Sequence, residues 1–462
     1  MPDGSVVVAG GQGFYGDTPT AVDALLEEGI DYLCLEALAE LTLAILQKDR
    51  QRDEARGYTR DLPAYLARAL PYVVDGRTKV ITNAGGINPT AAAHAAIESA
   101  RQLGLPGITV ATVVGDDVLG RLDRLREHEG QSFAHLDTGA AFETFPGPPL
   151  FASAYLGARP IAEALAQGAD IVITGRVADA SLFLAPIAHE HGWAWDDWDR
   201  LAAGIVVGHL LECSGQSIGG NYSGDWWALP HPWDLPYPIA TVDDDGTAVI
   251  SKPARAGGRV STDTLRHQLL YEVHDPARYL APDVVADFTS VAFEDMPGDR
   301  VRISRVRGTA ATDTYKLLLS AHAGWSGETR VAFSWPDAYE KAKATAAIFV
   351  KRVEMAGLPV DEWCVEYWGV NALGGPTVPP LADGSCEPPE CVLRVAWRCT
   401  DQRTAGLVGR ELVPLTLSAP PAGLTGAGRG PASATELLSI WPTLIDKAVV
   451  DSEVRVVLET VS

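Results

Sequence analysis

Five apolar segments in the first half of the chain end at a glycine or at a polar residue that could bind a ligand or transfer a proton. They are SVVVAG at 5–10, DYLCLEA at 31–37, KVITNAG at 79–85, ITVATVVG at 108–115 and DIVITG at 170–175. If these segments are parallel strands, their carboxyl ends meet at one edge of a sheet, which is where α/β proteins bind their ligands. The sequence therefore predicts a functional site at this edge.

Residues at these strand ends could carry out acid–base chemistry. Glu36 is predicted to act as a general base, and Asp116 or Asp117 as the acid that protonates a leaving hydroxyl. Asn83 is predicted to stabilise negative charge that develops on a carbonyl oxygen. Burial near other carboxyl groups would raise the pKa of Glu36, which suits a base. One of the two aspartates could instead cap the helix that follows them.

A second set of residues is predicted to bind the substrate. Arg176 can clamp an anionic group with two parallel hydrogen bonds. Asn88 precedes Pro89 and is predicted to cap a helix whose free amides could hold a phosphate or carboxylate. Glycines belong to the set because they let the backbone approach a ligand, and two of them could offer amides to an oxyanion. The full set is Gly11, Gly13, Gly85, Gly86, Asn88, Arg176, Asp179 and Asn221.

The segment HLLECSGQ at 209–216 contains three further reactive side chains. His209 and Glu212 are one helical turn apart and share a helix face. They form either an acid–base pair or an ordinary surface ion pair, and the second is the commoner arrangement. Cys213 lies at the negative end of the helix dipole, so the sequence does not predict a low thiol pKa or a nucleophilic role for it.

The first strand runs into a glycine loop with the G-x-G-x-x-G spacing of a dinucleotide site, and Glu36 lies at the end of the next strand. An NAD-dependent oxidoreductase is therefore an alternative. The following Asp-Thr-Pro predicts, however, that the helix begins near Pro19, after all three glycines. We therefore favour a ligand-facing loop and predict no cofactor. The glycines of the motif are Gly11, Gly13 and Gly16.

Charge and composition narrow the class of partner. The formal net charge of −23 disfavours nucleic acid and anionic membranes, so we expect a small-molecule substrate. No leader or membrane-spanning run is evident and the six cysteines form no C-x-x-C pair, so a cytoplasmic protein is expected. Carboxylates at a strand edge could bind a divalent cation, but no third ligand is evident and no metal is predicted.

The order of elements predicts two domains. Residues 1–234 alternate apolar strands with helices, which predicts an α/β domain with a mainly parallel sheet flanked by helices. Residues 235–462 begin with a hairpin and continue with alternating strands, which predicts an α+β domain with an antiparallel sheet that covers or completes the site. Residues 418–434 are predicted to form a Gly/Pro/Ala-rich loop. A homo-oligomer is expected for a protein of this class.

Several long motifs of the chain resemble the acyclic terpene utilisation family of AtuA type. Among them are GGQGFYGD, ITNAGGINP, TGRVADASLFLAP and GHLLECSGQ, and the likeness runs over nearly the whole chain. The resemblance implies a place near the breakdown of acyclic terpene alcohols such as citronellol and geraniol as acyl-CoA thioesters. It brings no catalytic residues with it, because none can be transferred from the family.

The function favoured by these observations is an enzyme of hydro-lyase type. It would act on a small branched or unsaturated acid, carried as an acyl-CoA thioester, by adding or eliminating water or by a related proton abstraction. Two alternatives stay open: the NAD-dependent oxidoreductase, and a non-catalytic ligand-binding or scaffolding subunit of an acyl-CoA enzyme complex.

Overall fold

The computed structural model describes most of the chain. The described residues are 4–370, 372–374, 387–421, 425–426 and 434–462. Most of the loop predicted at 418–434 lies outside these residues. The chain divides into two compact units. The first unit comprises Met1–Phe145, Pro149–Ser320 and Ile440–Ser462, and the second comprises Pro146–Pro148 and Ala321–Ser439.

The strands and helices are numbered in chain order. The strands are β1 Val6–Gln12, β2 Tyr32–Leu35, β3 Lys79–Thr82, β4 Thr109–Val114, β5 Pro149–Ala154, β6 Ile171–Thr174, β7 Ile239–Val242, β8 Ala248–Ser251, β9 Tyr279–Leu280, β10 Val285–Asp287, β11 Ala292–Met296, β12 Arg300–Ser304, β13 Arg307–Thr309, β14 Thr314–Ser334, β15 Glu362–Trp368, β16 Glu390–Cys399, β17 Thr425–Gly426, β18 Thr435–Leu438, β19 Trp441–Asp446 and β20 Arg455–Thr460. The helices are α1 Val22–Glu28, α2 Glu40–Arg52, α3 Leu62–Val74, α4 Pro89–Gln102, α5 Leu122–His128, α6 Arg159–Ala166, α7 Ser181–His191, α8 Trp198–Leu211, α9 Thr262–Leu269, α10 Ala338–Met355, α11 Gln402–Arg410, α12 Leu415–Ser418 and α13 Lys447–Asp451.

The five apolar segments form five neighbouring parallel strands, as predicted. Their order across the sheet is β1-β2-β3-β6-β4, and each neighbouring pair is parallel. Because all five run in the same direction, their carboxyl ends lie along one edge of the sheet. This edge is called the carboxyl edge below.

The sheet of the first unit is mixed: the strands that residues 1–234 contribute to it are parallel, as predicted, and antiparallel strands from later residues extend it. In the described residues, antiparallel strands continue the sheet on both sides of the parallel block. They are β7, β8, β12 and β11 beyond β1, and β20 beyond β4. The physical reason is that β1 and β4 would otherwise expose unpaired backbone groups. The boundary expected between residues 234 and 235 therefore falls inside the first unit.

Helices cover both faces of the parallel strands, as the apolar runs predict. Alternate residues of β1 point into two separate cores. Val6 and Val8 pack in one core with α6, α7 and α8, whereas Val7 and Ala9 pack in the other core with α1, α3 and α4. Helix α8 is buried continuously from Leu201 to its end, so it is apolar on every side.

The second unit contains an antiparallel sheet and helices, in agreement with the α+β pattern predicted for this half. Within it, β14 pairs with β16 and β16 pairs with β15, both antiparallel. Helix α10 packs on this sheet through Phe349, which contacts the rings of Trp363 and Trp397. None of the helices in the described part of the chain is both long and apolar enough to cross a bilayer.

The packing of α8 against β1 can be tested at the point where Gly10 contacts Leu211. A Cβ atom added at Gly10 would lie 2.3 Å from the carbonyl oxygen of Leu211, and backbone cannot easily move away. Gly10→Ala is therefore expected to destabilise the protein by about 1–3 kcal/mol. The measurement is the thermal unfolding midpoint. Gly120→Ala is the control, because nothing lies within 4 Å of the added Cβ. Equal midpoints for the two variants would show that the contact is absent.

Candidate active site

Glu36 and Asn83 lie side by side at the carboxyl edge. They directly follow β2 and β3, which are neighbours in the sheet. Nδ2 of Asn83 donates a hydrogen bond of 3.0 Å to Oε1 of Glu36, and the amide of Leu38 donates one of 2.6 Å to the same oxygen. Both side chains are buried. Since both bonds go to Oε1, Oε2 is the oxygen of Glu36 left to take a proton.

The surroundings of Glu36 favour its neutral form. Burial raises the pKa of Glu36 from 4.5 to about 7. The charge of Arg176 and the hydrogen bond from Asn83 oppose this rise, and the charge of Glu212 adds to it. A carboxyl group with such a pKa can both accept and release a proton at neutral pH, which is the property required of a general base.

Arg176 follows β6 and is the buried cation of the site, with 2% of its surface exposed. Its guanidinium donates to the backbone oxygen of Leu38 and, over 2.8 Å, to Oδ1 of Asp179. The same group lies 4.0 Å from the ring centre of Tyr155. Burial disfavours its charge, but Asp179 and the other acidic groups outweigh this and raise the pKa of Arg176. Its Nε–H is buried without a hydrogen-bond partner among the described residues.

A second cation stands beside Tyr155 at a more exposed position. Nζ of Lys316 and the hydroxyl of Tyr155 both donate to Oε1 of Glu40, over 2.9 Å and 2.8 Å. Burial alone would raise the pKa of Glu40, but the hydrogen bond and charge of Lys316 outweigh it and lower that pKa to about 2. Glu40 is therefore ionised at neutral pH, and it is a poor candidate for proton transfer.

Asp179 is held by Arg176 and keeps about a third of its side chain exposed, at 34%. Burial raises the pKa of Asp179, Arg176 opposes this, and the charges of Glu36 and Glu212 add to the rise. Water reaches this carboxyl group through its exposed fraction. Asp179 and Glu36 thus share one cation.

The two aspartates after β4 have different surroundings. Asp116 is buried, and its Oδ2 accepts a hydrogen bond of 2.9 Å from the amide of Arg176. Burial raises the pKa of Asp116 to about 7. Asp117 is exposed, and its Oδ1 accepts a bond of 2.9 Å from the amide of Leu119. Asp117 therefore holds the turn that precedes the 3₁₀ segment Leu119–Arg121 but does not cap a helix, and only Asp116 is enclosed with the other site groups.

The glycines of the predicted substrate set lie against protein. A Cβ at Gly11 would meet the side chain of Leu33, and one at Gly13 would lie 2.2 Å from the amide nitrogen of Ser214. A Cβ at Gly85 would lie 2.3 Å from the carbonyl oxygen of Thr174. Gly86 has a φ of +55° and donates its amide to the carbonyl of Asn83. These positions need glycine for packing and turning, whatever their relation to a substrate.

The two asparagines of that set are bonded within the protein. Oδ1 of Asn88 accepts from the amide of Ala91 over 3.3 Å, so Asn88 caps α4 as predicted. Asn221 is exposed, and its Nδ2 donates to Oε1 of Gln216 over 2.9 Å. Asn83 uses its remaining oxygen to accept from the amide of Ala37 over 2.7 Å. Asn83 therefore positions Glu36 through one of its two side-chain N–H groups.

His209 and Glu212 are buried at the end of α8, so they are not the surface ion pair that the spacing most often indicates. Nδ1 of His209 lies 2.9 Å from Oε1 of Glu212. Glu212 is close enough to raise the pKa of Glu36 and of Asp179 by its charge. Burial raises the pKa of the Cys213 thiol, as does the charge of Glu212, so Cys213 is not an activated nucleophile.

The loop with the dinucleotide spacing differs from a dinucleotide site in its helix. A short 3₁₀ turn begins at Pro19 and α1 at Val22, both after Gly16, as the late-helix prediction states. Glu36 is bonded to Asn83 and Leu38, so its Oε1 is not directed at a ribose. Within the described ranges, no three or more His, Cys, Asp or Glu side chains are grouped so that they could hold a metal ion.

Sequence reasoning missed three residues of this arrangement. Glu40 begins α2, Tyr155 follows β5, and Lys316 comes from β14, far along the chain. Glu40 could have been found, because it lies on the segment that leaves the edge after Glu36. Lys316 carries no local signal, since only the tertiary fold brings β14 next to Tyr155, whose amide donates to the carbonyl of Lys316 over 2.9 Å.

Comparison with protein families gives one match that spans nearly the whole chain. The family described as acyclic terpene utilisation family protein AtuA matches residues 6–456. No curated protein and no solved structure matches the chain. The chain belongs to the AtuA family.

The pKa of Glu36 predicts how the stability of the protein depends on pH. The folded pKa of about 7 lies above the ordinary 4.5, so the folded state binds an extra proton between these values. The neutral carboxyl group stabilises the folded protein fully below about pH 4.5. This stabilisation is lost as the pH rises from 4.5 to about 7. Glu36→Gln removes the effect. Its free energy of unfolding, relative to wild type, should rise by about 2 kcal/mol between about pH 5.5 and pH 8.

Urea denaturation at the two pH values measures this difference. Glu27→Gln is the control, because Glu27 is an exposed glutamate of α1. A Glu36→Gln variant whose stability changes with pH in parallel with wild type and with the control would contradict the raised pKa.

Proposed function

We propose that this AtuA-family protein is an enzyme that removes the proton next to a thioester carbonyl and thereby eliminates or adds water. The observation that carries the proposal is the pairing of Glu36, whose pKa is about 7, with the unpartnered Nε–H of the buried Arg176. A base and an electrophilic donor in one enclosed place are the two groups that this chemistry needs.

Glu36 serves as the base. Its Oε1 is fixed by Asn83 and Leu38, so Oε2 can be presented to a substrate in one orientation. A positioned base of matched pKa commonly contributes a hundredfold or more to a rate. Asn83 acts as a positioning residue for Glu36.

Arg176 stabilises the enolate that forms when the proton leaves. Its Nε–H has no partner among the described residues and its charge is held in place by Asp179, Leu38 and the ring of Tyr155. A donor that is already oriented and removed from water stabilises a developing oxyanion without further reorganisation. This assigns to Arg176 the role that was predicted for Asn83 and for the amides of Gly85 and Gly86.

The leaving hydroxyl needs a proton from a second group. The sequence offers Asp116 and Asp117 for this role, and Asp116 is the buried one, with a pKa of about 7. Asp117 is exposed and bonded to the amide of Leu119, which makes it unsuitable. Of the two aspartates, Asp116 is therefore the one that can protonate the leaving hydroxyl.

Family membership supports the choice of substrate. The family is described by acyclic terpene utilisation, whose carbon skeletons are branched and unsaturated. An acid derived from such a skeleton, carried as a thioester, has an acidified proton beside its carbonyl group. We therefore propose a branched unsaturated or 3-hydroxy acyl-CoA thioester as the substrate class.

Turnover of such thioesters tests the assignment of Glu36. Wild type is expected to convert at least one member of a panel of branched acyl-CoA thioesters into a product that differs by one water. Glu36→Gln keeps the side chain's size and its acceptor for Asn83 but cannot take a proton, so turnover should fall by about a hundredfold or more. Mass spectrometry of the thioester before and after incubation is the measurement.

The control for this experiment is Glu27→Gln, which should turn over like wild type. Unchanged turnover in Glu36→Gln would remove Glu36 from the mechanism. Binding of the thioesters without any conversion by wild type would favour the non-catalytic subunit. Binding of NAD in place of thioester would favour the oxidoreductase alternative.

The reaction should also report the pKa of the base. Glu36 must be ionised to remove a proton and Asp116 must be protonated to donate one, so kcat/KM is expected to follow a bell-shaped curve with its maximum near pH 7. A rate that is already maximal at about pH 5 would mean that a group of ordinary carboxyl pKa is the base. The measurement is initial rate against pH at a thioester concentration well below KM.

A further inference from the structure

Tyr155 is the residue at which the two cations of the site meet. Its ring centre lies 4.0 Å from Cζ of Arg176 and 4.8 Å from Nζ of Lys316. A cation over an aromatic ring is attracted by the negative face of the ring, and the attraction is stronger where water is excluded. Tyr155 and Arg176 are both buried, with 7% and 2% of their surfaces exposed. The contact between Tyr155 and Arg176 is therefore the stronger of the two.

Tyr155 is fixed at both ends. Its amide donates a hydrogen bond of 2.9 Å to the carbonyl oxygen of Lys316, and its hydroxyl donates one of 2.8 Å to Oε1 of Glu40. Burial raises the pKa of Tyr155, so the hydroxyl keeps its proton. Nζ of Lys316 donates to the same oxygen of the ionised Glu40 over 2.9 Å. Since hydrogen bonds to a charged acceptor are the stronger kind, Glu40 and Lys316 together hold the ring of Tyr155 in one place.

Leu38 connects the guanidinium of Arg176 with Glu36. The carbonyl oxygen of Leu38 accepts from the guanidinium, and its amide donates the hydrogen bond of 2.6 Å to Oε1 of Glu36. Burial raises the pKa of Glu36, the charge of Arg176 is the main influence that opposes this rise, and the charge of Glu212 adds to it. The position of the guanidinium therefore affects both the orientation of Glu36 and its protonation.

We propose that Tyr155 is a positioning residue of the site: Glu40 and Lys316 hold its ring, and the ring holds the guanidinium of Arg176 with the Nε–H free for a substrate. The meaning of this inference for the reaction rests on the proposed function. Leu38 and Asp179 bind the guanidinium at its two NH₂ groups, along the N–H bonds. The ring of Tyr155 supports the same group at its central carbon, which these two hydrogen bonds do not do.

Tyr315 is a matched control for the alternative that Tyr155 only fills space in the core. Tyr315 is also buried, with 8% of its surface exposed. Its hydroxyl donates to Oδ1 of Asp451 over 2.7 Å, and Nζ of Lys447 lies 5.3 Å from its ring centre. Tyr315 and Lys316 are consecutive residues of β14, so their side chains point to opposite faces of the strand. Tyr315→Leu thus removes a comparable ring and leaves the contacts between Tyr155 and Arg176 in place.

Hydrogen exchange of the Nε–H of Arg176 tests the positioning without any substrate. Its nuclear magnetic resonance signal, assigned by its loss in Arg176→Lys, should exchange slowly in wild type because the group is buried and held. Tyr155→Leu should exchange about tenfold faster or more, which corresponds to the loss of one buried cation–π contact. Tyr155→Phe keeps the ring but not the bond to Glu40, so its rate should lie between the two. Tyr315→Leu should exchange like wild type.

The titration of Glu36 gives a second readout of the same variants. A guanidinium that is no longer held lowers the pKa of Glu36 less, so the carbon-13 midpoint of Glu36 in Tyr155→Leu should lie above the wild-type value of about 7. The proposal is overturned if Tyr155→Leu exchanges and titrates like wild type, or if Tyr315→Leu changes both readouts equally. If circular dichroism shows that Tyr155→Leu is unfolded, Tyr155→Phe decides, and a wild-type exchange rate in that variant overturns the proposal.

Turnover separates this inference from the proposed function. With a thioester that wild type converts, Tyr155→Leu should lower kcat by about tenfold or more and change KM little, because the ring acts on the transition state through Arg176. If wild type converts no thioester, the proposed function fails, and the exchange rates still decide whether Tyr155 positions Arg176. If Tyr155→Leu converts the thioester as fast as wild type does, the proposed function stands and the inference is wrong.

Discussion

The positive charge of Arg176 is the constraint on which the carboxyl edge depends. Several carboxyl groups meet there, and water is excluded from most of them, so each would be neutral without a nearby cation. The guanidinium of Arg176 supplies that cation to Asp179, and the backbone amide of Arg176 donates a neutral hydrogen bond to Asp116. The compensation is incomplete for Glu36, whose pKa stays at about 7. That incomplete compensation is what keeps a proton-transferring carboxyl group available at neutral pH.

The fold makes this edge by close packing of backbone. A glycine within β1 and glycines after β1 and β3 allow Leu211, Ser214 and Thr174 to approach to distances that any side chain would prevent. The end of α8 is thereby brought against the ends of the parallel strands, and Glu212 comes close enough to Glu36 for its charge to raise the pKa of Glu36. The glycine loop therefore contributes to the site by allowing α8 to approach it. This contribution does not depend on contact between the loop and a ligand.

The sequence predicted much of this arrangement, because strand ends are local features. The five parallel strands, the cap at Asn88 and the late helix after Gly16 follow from apolar runs, glycine and proline. The burial of His209 and Glu212 could also have been read from the sequence, since α8 is apolar on all sides. The antiparallel extensions of the sheet and the approach of Lys316 could not, because they join segments that are distant along the chain and carry no local pattern of their own.

The most direct test of the account is the titration of Glu36 itself. Carbon-13 resonance of labelled glutamate side chains, followed against pH in wild type and in Glu36→Gln, measures it without a substrate. The account predicts one carboxyl resonance with a midpoint of about 7 that is missing in the variant. If every glutamate resonance of wild type instead titrates below about pH 5, Glu36 has an ordinary pKa and is not the buried base on which the mechanism rests.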